Sequence, residues 1–186
     1  MHPSRILLST GFALYFVMCS AVVHSQSLPE GSLIIPMDNR MGIVSGGQAE
    51  VLKAYGLVYA LLSNGVPVRW AYSNTKWHDG VDFSALPQQV KLRYGDQTIT
   101  TKIDYSGSAF IIGVGDTAAA GPIIRSFAGN TVTVHQVLLS FSNAANIPFR
   151  ETLRTIPRAF IQDHQANYLS LVTSVLTLAG IPPAAY

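Results

Sequence analysis

Cysteine is almost missing from this chain. Cys19 is the only one in 186 residues, and it falls in a segment expected to be cleaved away. A mature chain without a thiol forms no disulfide, and it offers no cysteine nucleophile, iron–sulfur cluster or cysteine-ligated zinc site. Charge is scarce too, at 12% of residues against about 25% in ordinary soluble domains. No basic patch stands out, so nucleic acid is not an expected partner. There is no Gly-x-Ser-x-Gly elbow, no phosphate loop with Lys-Ser/Thr and no His-Glu-x-x-His helix. No short-period repeat or low-complexity tract occurs, and no cofactor is expected.

What is present begins with an export signal. Arg5 supplies a positive start, and Ile6 to Val23 form a nearly uncharged apolar run. Val23-His24-Ser25 offers a cleavage site before Gln26. Residues 1–25 are therefore expected to be a signal peptide. The rival is an uncleaved anchor, because roughly 18 apolar residues just span a bilayer. The Ser, Thr and Gly content of the run favours removal, and Met18 before Cys19 argues against a lipoprotein. Loss of Arg5 lowers the net charge from +2 to +1. The mature protein is expected in the periplasm or outside the cell, with no stable membrane span.

Residues 26–186 are expected to form a single α/β domain. Leu33 to Met37 reads as a buried strand, and Asp38 to Gln48 as a polar, glycine-containing loop. Ala49 to Asn64 has helical period, with Val51, Tyr55, Val58 and Leu62 on one face and Leu52 and Tyr59 beside them. Val66 to Tyr72 is the next strand, which completes an expected right-handed βαβ unit. Val90, Leu92 and Tyr94, then Ile99, Ile103 and Tyr105, alternate with polar residues and predict a hairpin over 88–106. Ala109 to Val114 is a buried strand with a short helix after it. Thr131 to Val137 and Arg158 to Gln162 are strands, with Ser140 to Pro157 as a connection. Asn167 to Ala179 is a second clear helix, with Tyr168, Val172, Val175 and Ala179 on one stripe. This order predicts a flavodoxin-like or Rossmann-like, mostly parallel sheet with an inserted antiparallel hairpin. The last helix leads to no further strand, so a chain truncated at its C-terminus is the other expectation.

Three stretches carry a resemblance: Leu33-Ile-Ile-Pro-Met-Asp38, Leu52 to Tyr59 with Asn64-Gly-Val-Pro-Val68, and Asp79-Gly-Val-Asp-Phe-Ser84. They resemble the N-terminal portion of uncharacterised secreted bacterial proteins. Those are distantly similar to class I glutamine-amidotransferase-like or flavodoxin-like α/β domains. The amidotransferase resemblance implies a Cys-His-Glu triad. The cysteine is absent here, so that activity is not implied for this chain.

The chemistry-bearing clusters are few. Gly113-Val-Gly115-Asp-Thr-Ala118 partly matches a dinucleotide fingerprint. Pro122 opposes it, because it suits a helix that begins near Gly121, and no acidic residue ends the next strand to hold a ribose. Ser45-Gly46-Gly47 precedes the first helix and offers amides to an anion. Asp38 lies at the start of that same loop. Such loops follow strand C-termini, where ligands of open α/β sheets bind. His78, Asp79 and Asp82 are weak metal candidates, and their spacing matches no known metal loop. Trp70 and Trp77, with Tyr72 between them, offer aromatic surface. Ser106-Gly-Ser108 precedes a strand, the wrong context for a nucleophile. His135 lies within a strand, while Asp163 and His164 follow the last one. A triad of Ser45, His164 and Asp38 can be drawn, but no spacing supports it.

The leading expectation is a non-catalytic exported module that binds a small molecule or a protein. Its site is expected at Asp38, Gly46, Gly47, Gly115 and Asp116, or on an aromatic surface near Trp70 and Trp77. The alternative is a hydrolase or transferase that uses Asp38 and His164. A truncated relative without its own function is a third expectation. It predicts that the last helix leaves an apolar face uncovered.

Overall fold

A computed structural model describes residues 27–38, 48–78, 80–128, 132–141, 147–156 and 166–185. The first segment enters as β1 (Leu33–Ile35), followed by α1 (Gln48–Ser63) and β2 (Val68–Ala71). Three short strands follow: β3 (Phe83–Ala85), β4 (Val90–Leu92) and β5 (Ile103–Tyr105). Then come β6 (Phe110–Ile112), α2 (Thr117–Ala128), β7 (His135–Val137), β8 (Phe149–Leu153) and α3 (Ala166–Leu178).

The main sheet has the order β4-β7-β1-β6-β2-β8, and every neighbouring pair is antiparallel. This corrects the flavodoxin-like or Rossmann-like parallel sheet. β1 and β2 do run in the same direction, as a βαβ unit requires, but β6 lies between them. β6 and β7 likewise run together with β1 between them. Two split β-α-β units are thus interleaved, and the four central strands have the ferredoxin-like connectivity. β4 and β8 extend the two edges.

Continuous apolar strands such as Leu-Ile-Ile and Phe-Ile-Ile call for burial on both faces, which parallel sheets usually supply. Here a second layer does so for an antiparallel sheet. Leu33, Ile35, Phe110 and Ile112 pack under α1 and α2 with Leu57, Leu61 and Ile124. Ile34 and Ile111 face the other way, onto Phe83, Ile103 and Tyr105 of the two-stranded β3–β5 sheet.

The expected hairpin over 88–106 is present in its inner part, where Gln88 N donates to the Ile99 carbonyl, Ile99 N to that of Val90 and Leu92 N to that of Gln97 around the Lys91–Thr98 bridge. Beyond Ile99 the arms part, β4 pairing with β7 and β5 with β3 of the smaller sheet. The expected connection 140–157 contains β8, which pairs along β2 with a bulge at Trp70/Ala71. The expected strand at 158–162 lies outside the described residues.

Gly65 and Gly180 follow α1 and α3 with positive φ, at 73° and 78°, where glycine avoids a Cβ clash. The buried side of α1 is Ala54, Leu57, Val58, Leu61 and Leu62, and Tyr55 is 48% exposed. The stripe expected on α3 is also corrected: Val172 and Val175 are exposed, as are Leu171 and Leu178, while Ala179 is buried. Among the described residues, no helix is long and apolar enough to cross a membrane.

Candidate functional site

Among the described residues, a dense polar cluster lies where β1, β5 and β6 come together. β1 leads through Pro36 and Met37 to Asp38, and the Ser106-Gly107-Ser108 turn joins β5 to β6. Asp38 Oδ2 accepts from Ser106 N at 2.7 Å, and from Ser106 Oγ and Gly107 N at 3.2 Å each. Gly107 runs so close to β1's exit that a Cβ there would lie 2.5 Å from the Met37 carbonyl. Ser108 has φ 62°, the left-handed region. Its amide donates to Asp82 Oδ2 at 2.9 Å, while Ser73 N donates to Asp82 Oδ1 at 2.8 Å. Lys76 Nζ donates to Asp82 Oδ2 at 2.7 Å and also to the Ser106 carbonyl. The Lys76 and Asp82 side chains are 7% and 0% exposed.

Two aspartates thus hold the turn from opposite sides, and a buried lysine ties it to the 73–82 loop. These interactions are those of a brace. Both Asp82 oxygens and Asp38 Oδ2 are engaged by donors of the chain itself.

Below the brace, Tyr105 Oη and His135 Nδ1 are 2.8 Å apart in the layer between the sheets. Burial lowers His135 to a pKa of about 4, against a smaller opposing pull from the Asp38 charge. Burial, and then Asp38, push Tyr105 well above the usual phenol value. At neutral pH the ring is neutral and the phenol keeps its proton, so the ring tautomer sets which of the two donates. Ser32 Oγ, Asp38 Oδ1 and His135 Nε2 are buried without a hydrogen-bond partner among the described residues.

The antiparallel pairing separates the Gly115-Asp116 turn from Asp38. β1 and β6 pair Leu33 with Ile112 and Ile35 with Phe110, so their C-terminal ends lie at opposite ends of the sheet. Asp38 leaves one end. Gly115 and Asp116, in a 3-10 turn over Val114–Asp116, leave the other, beside Gly31. The rule that ligands bind beyond the strand C-termini presupposes parallel strands, and it does not bring these residues together here. Pro122 lies inside α2, which begins at Thr117, rather than at the start of a helix near Gly121. Ser45, Gly46, Gly47, Asp79, Asp163 and His164 lie outside the described residues. Among the described residues, no group of three His, Cys, Asp or Glu side chains could hold a metal ion. His78, with φ 25°, stacks edge-on against Trp77, with centroids 4.9 Å apart.

The aromatic residues divide. Trp70 is partly buried against Phe110 and Tyr72, with Arg150 over both Trp70 and Tyr72. Trp77 is 82% exposed. The roles of Lys76 and of Ser106 to Ser108 were not legible in the sequence, because an ion pair and a turn are recognisable only once their partners are known. Comparison with protein-family models, with characterised proteins and with solved structures finds no match for this chain.

Proposed function

We propose that this chain is an exported, non-catalytic binding module that docks a partner through the 73–82 loop. The observation that carries this reading is Trp77, 82% exposed on a loop whose base is fixed by a buried ion pair. Ser73 N and Lys76 Nζ both bond Asp82, so the two ends of the loop are clamped together. Leaving a large apolar side chain in water forgoes about 2 kcal/mol of burial. Tryptophan on a rigid support is the commonest kind of binding anchor, because little conformational freedom is lost when it docks. Val81, on the same loop, is also exposed, which favours an apolar pocket on a partner protein over a sugar ring edged by hydroxyls.

The test is fluorescence of the full chain carrying Trp70→Phe, which leaves Trp77 as the only indole. Short apolar peptides and oligosaccharides are titrated in turn. A saturable blue shift with a peptide, together with a heat of binding that is lost in Trp77→Ala, supports the reading. A shift with oligosaccharides alone reassigns the partner class. No shift with any ligand counts against docking at this loop.

A further inference from the structure

We infer that the flank of α2 facing Arg93 is a binding groove for a small organic oxyanion, a site separate from the Trp77 loop and independent of it. The groove encloses about 570 Å³, inside the range of small-ligand sites, roughly 300–1,000 Å³. One wall is a single face of α2, with Ala118, Gly121, Pro122 and Arg125 at helical spacing. The opposite wall is Arg93, the residue that follows β4.

Charge defines the ligand. Arg93 Nη1 donates to the neutral Gln136 Oε1 at 2.8 Å, and its Nε is buried without a partner among the described residues. Asp96 is bonded to Lys91 Nζ at 2.6 Å, and Lys91, with a smaller pull from the Arg93 charge, holds its carboxyl below the usual range. Arg125 is in no ion pair among the described residues. Two arginines therefore line one groove that has no carboxylate residue in its lining among the described residues. Planar, multidentate guanidinium donors match carboxylate and phosphate oxygens.

Shape defines the rest. Ala118 and Gly121 keep the helix flank low, and a Cβ at Gly121 would meet nothing within 4 Å. Pro122 adds an apolar surface between the two arginines. The Thr117 and Ser126 hydroxyl protons are already given to the Val114 and Ile123 carbonyls, so the arginines are the charged donors of the groove. The ligand class is accordingly a phosphate or carboxylate on a compact apolar body.

Phenyl phosphate, benzoate and inorganic phosphate are titrated into the full chain at fixed ionic strength, with heat of binding and melting midpoint as readouts. Saturable binding of phenyl phosphate or benzoate is expected, tighter than inorganic phosphate. Arg125→Ala weakens it by about ten- to a hundredfold, the worth of a hydrogen bond to a charged group. Gly121→Leu fills the groove and abolishes binding while the far-ultraviolet circular dichroism is retained. Trp77→Ala leaves it unchanged. The order of phenyl phosphate and benzoate assigns the headgroup. No saturable binding to the unmodified chain, or equal binding to Arg125→Ala and Gly121→Leu, overturns the inference.

Discussion

The Tyr105 hydroxyl lies 2.8 Å from His135 Nδ1, and both side chains are fully buried. An imidazole shut away from water resists protonation, and that makes the fold sensitive to acid. His135 has a folded pKa of about 4 against 6.5 for a free histidine. Above about pH 6.5 neither state is protonated and the group has no effect. As pH falls below that, the unfolded chain takes up the proton and the folded chain does not, so stability is lost. The loss is complete near pH 4 and is worth about 3 kcal/mol. Urea midpoints measured across this window should fall in the unmodified chain. In His135→Gln the same window should be flatter by that amount, on a lower baseline.

Gly107 allows two strands to be joined against the exit of a third. A Cβ at this position would sit 2.5 Å from Met37 C and O and 2.8 Å from Asp38 N, all backbone atoms that cannot swing aside. Gly107→Ala should cost about 3 kcal/mol, the upper part of the overpacking range, and should also disturb the Asp38 bonds to the turn. Chemical denaturation measures the cost. Loss of less than about 1 kcal/mol would show that β1 does not pass where it is placed.

Asp82 and Lys76 should not be equivalent. Asp82→Ala removes the acceptor for two backbone amides and leaves a lysine 7% exposed without its counter-charge. A destabilisation of about 3–5 kcal/mol is expected for such a broken buried pair. Lys76→Met keeps the stem's packing and leaves Asp82 its two amide donors, so it should cost less. Thermal denaturation of both variants gives the order, and the reverse order would mean that the lysine alone holds the loop.

Gly56 is the seat of the C-terminal helix. A Cβ there would come within 1.6 Å of the Ala179 carbonyl oxygen. Gly56→Ala should therefore displace α3 while the central strands stay paired. Hydrogen exchange should show faster amides across Ala166–Leu178 and unchanged protection in β1 and β6. Global loss of protection would instead make α3 a cooperative part of the core.

Helices were legible where local signals suffice. The 3.6-residue period, with Gly65 and Gly180 as stops, located α1 and α3 closely. Facing was harder. Val51 and Tyr55 match the period as well as Ala54 and Leu57 do, and only the position of the sheet makes Leu57 and Leu61 the buried pair. Strand direction was not legible. Leu33-Ile-Ile35 carries the same message whether its neighbours are parallel or a second layer covers an antiparallel sheet. β8, Phe149-Arg-Glu-Thr-Leu153, gives no strand signal because its three central residues are polar, and all three are exposed, as befits an edge strand. The place of Asp38 after β1 is legible, but its partners Ser106 and Gly107 lie 68 and 69 positions away, beyond any local pattern. Arg93 and Arg125 likewise line one groove only because the chain after β4 meets α2, where Tyr94 Oη donates to the Gly121 carbonyl.

The interleaving of the two β-α-β units also sets when the chain can fold. β1 emerges first, yet its two neighbours are β6 and β7, so one edge of this central strand finds its partner only after Ile112 and the other only after Val137 has been made. Such distant pairings place folding in the slow, topology-limited regime. A polypeptide growing at about 5–20 residues per second is thus exposed for several seconds before its middle strand is enclosed.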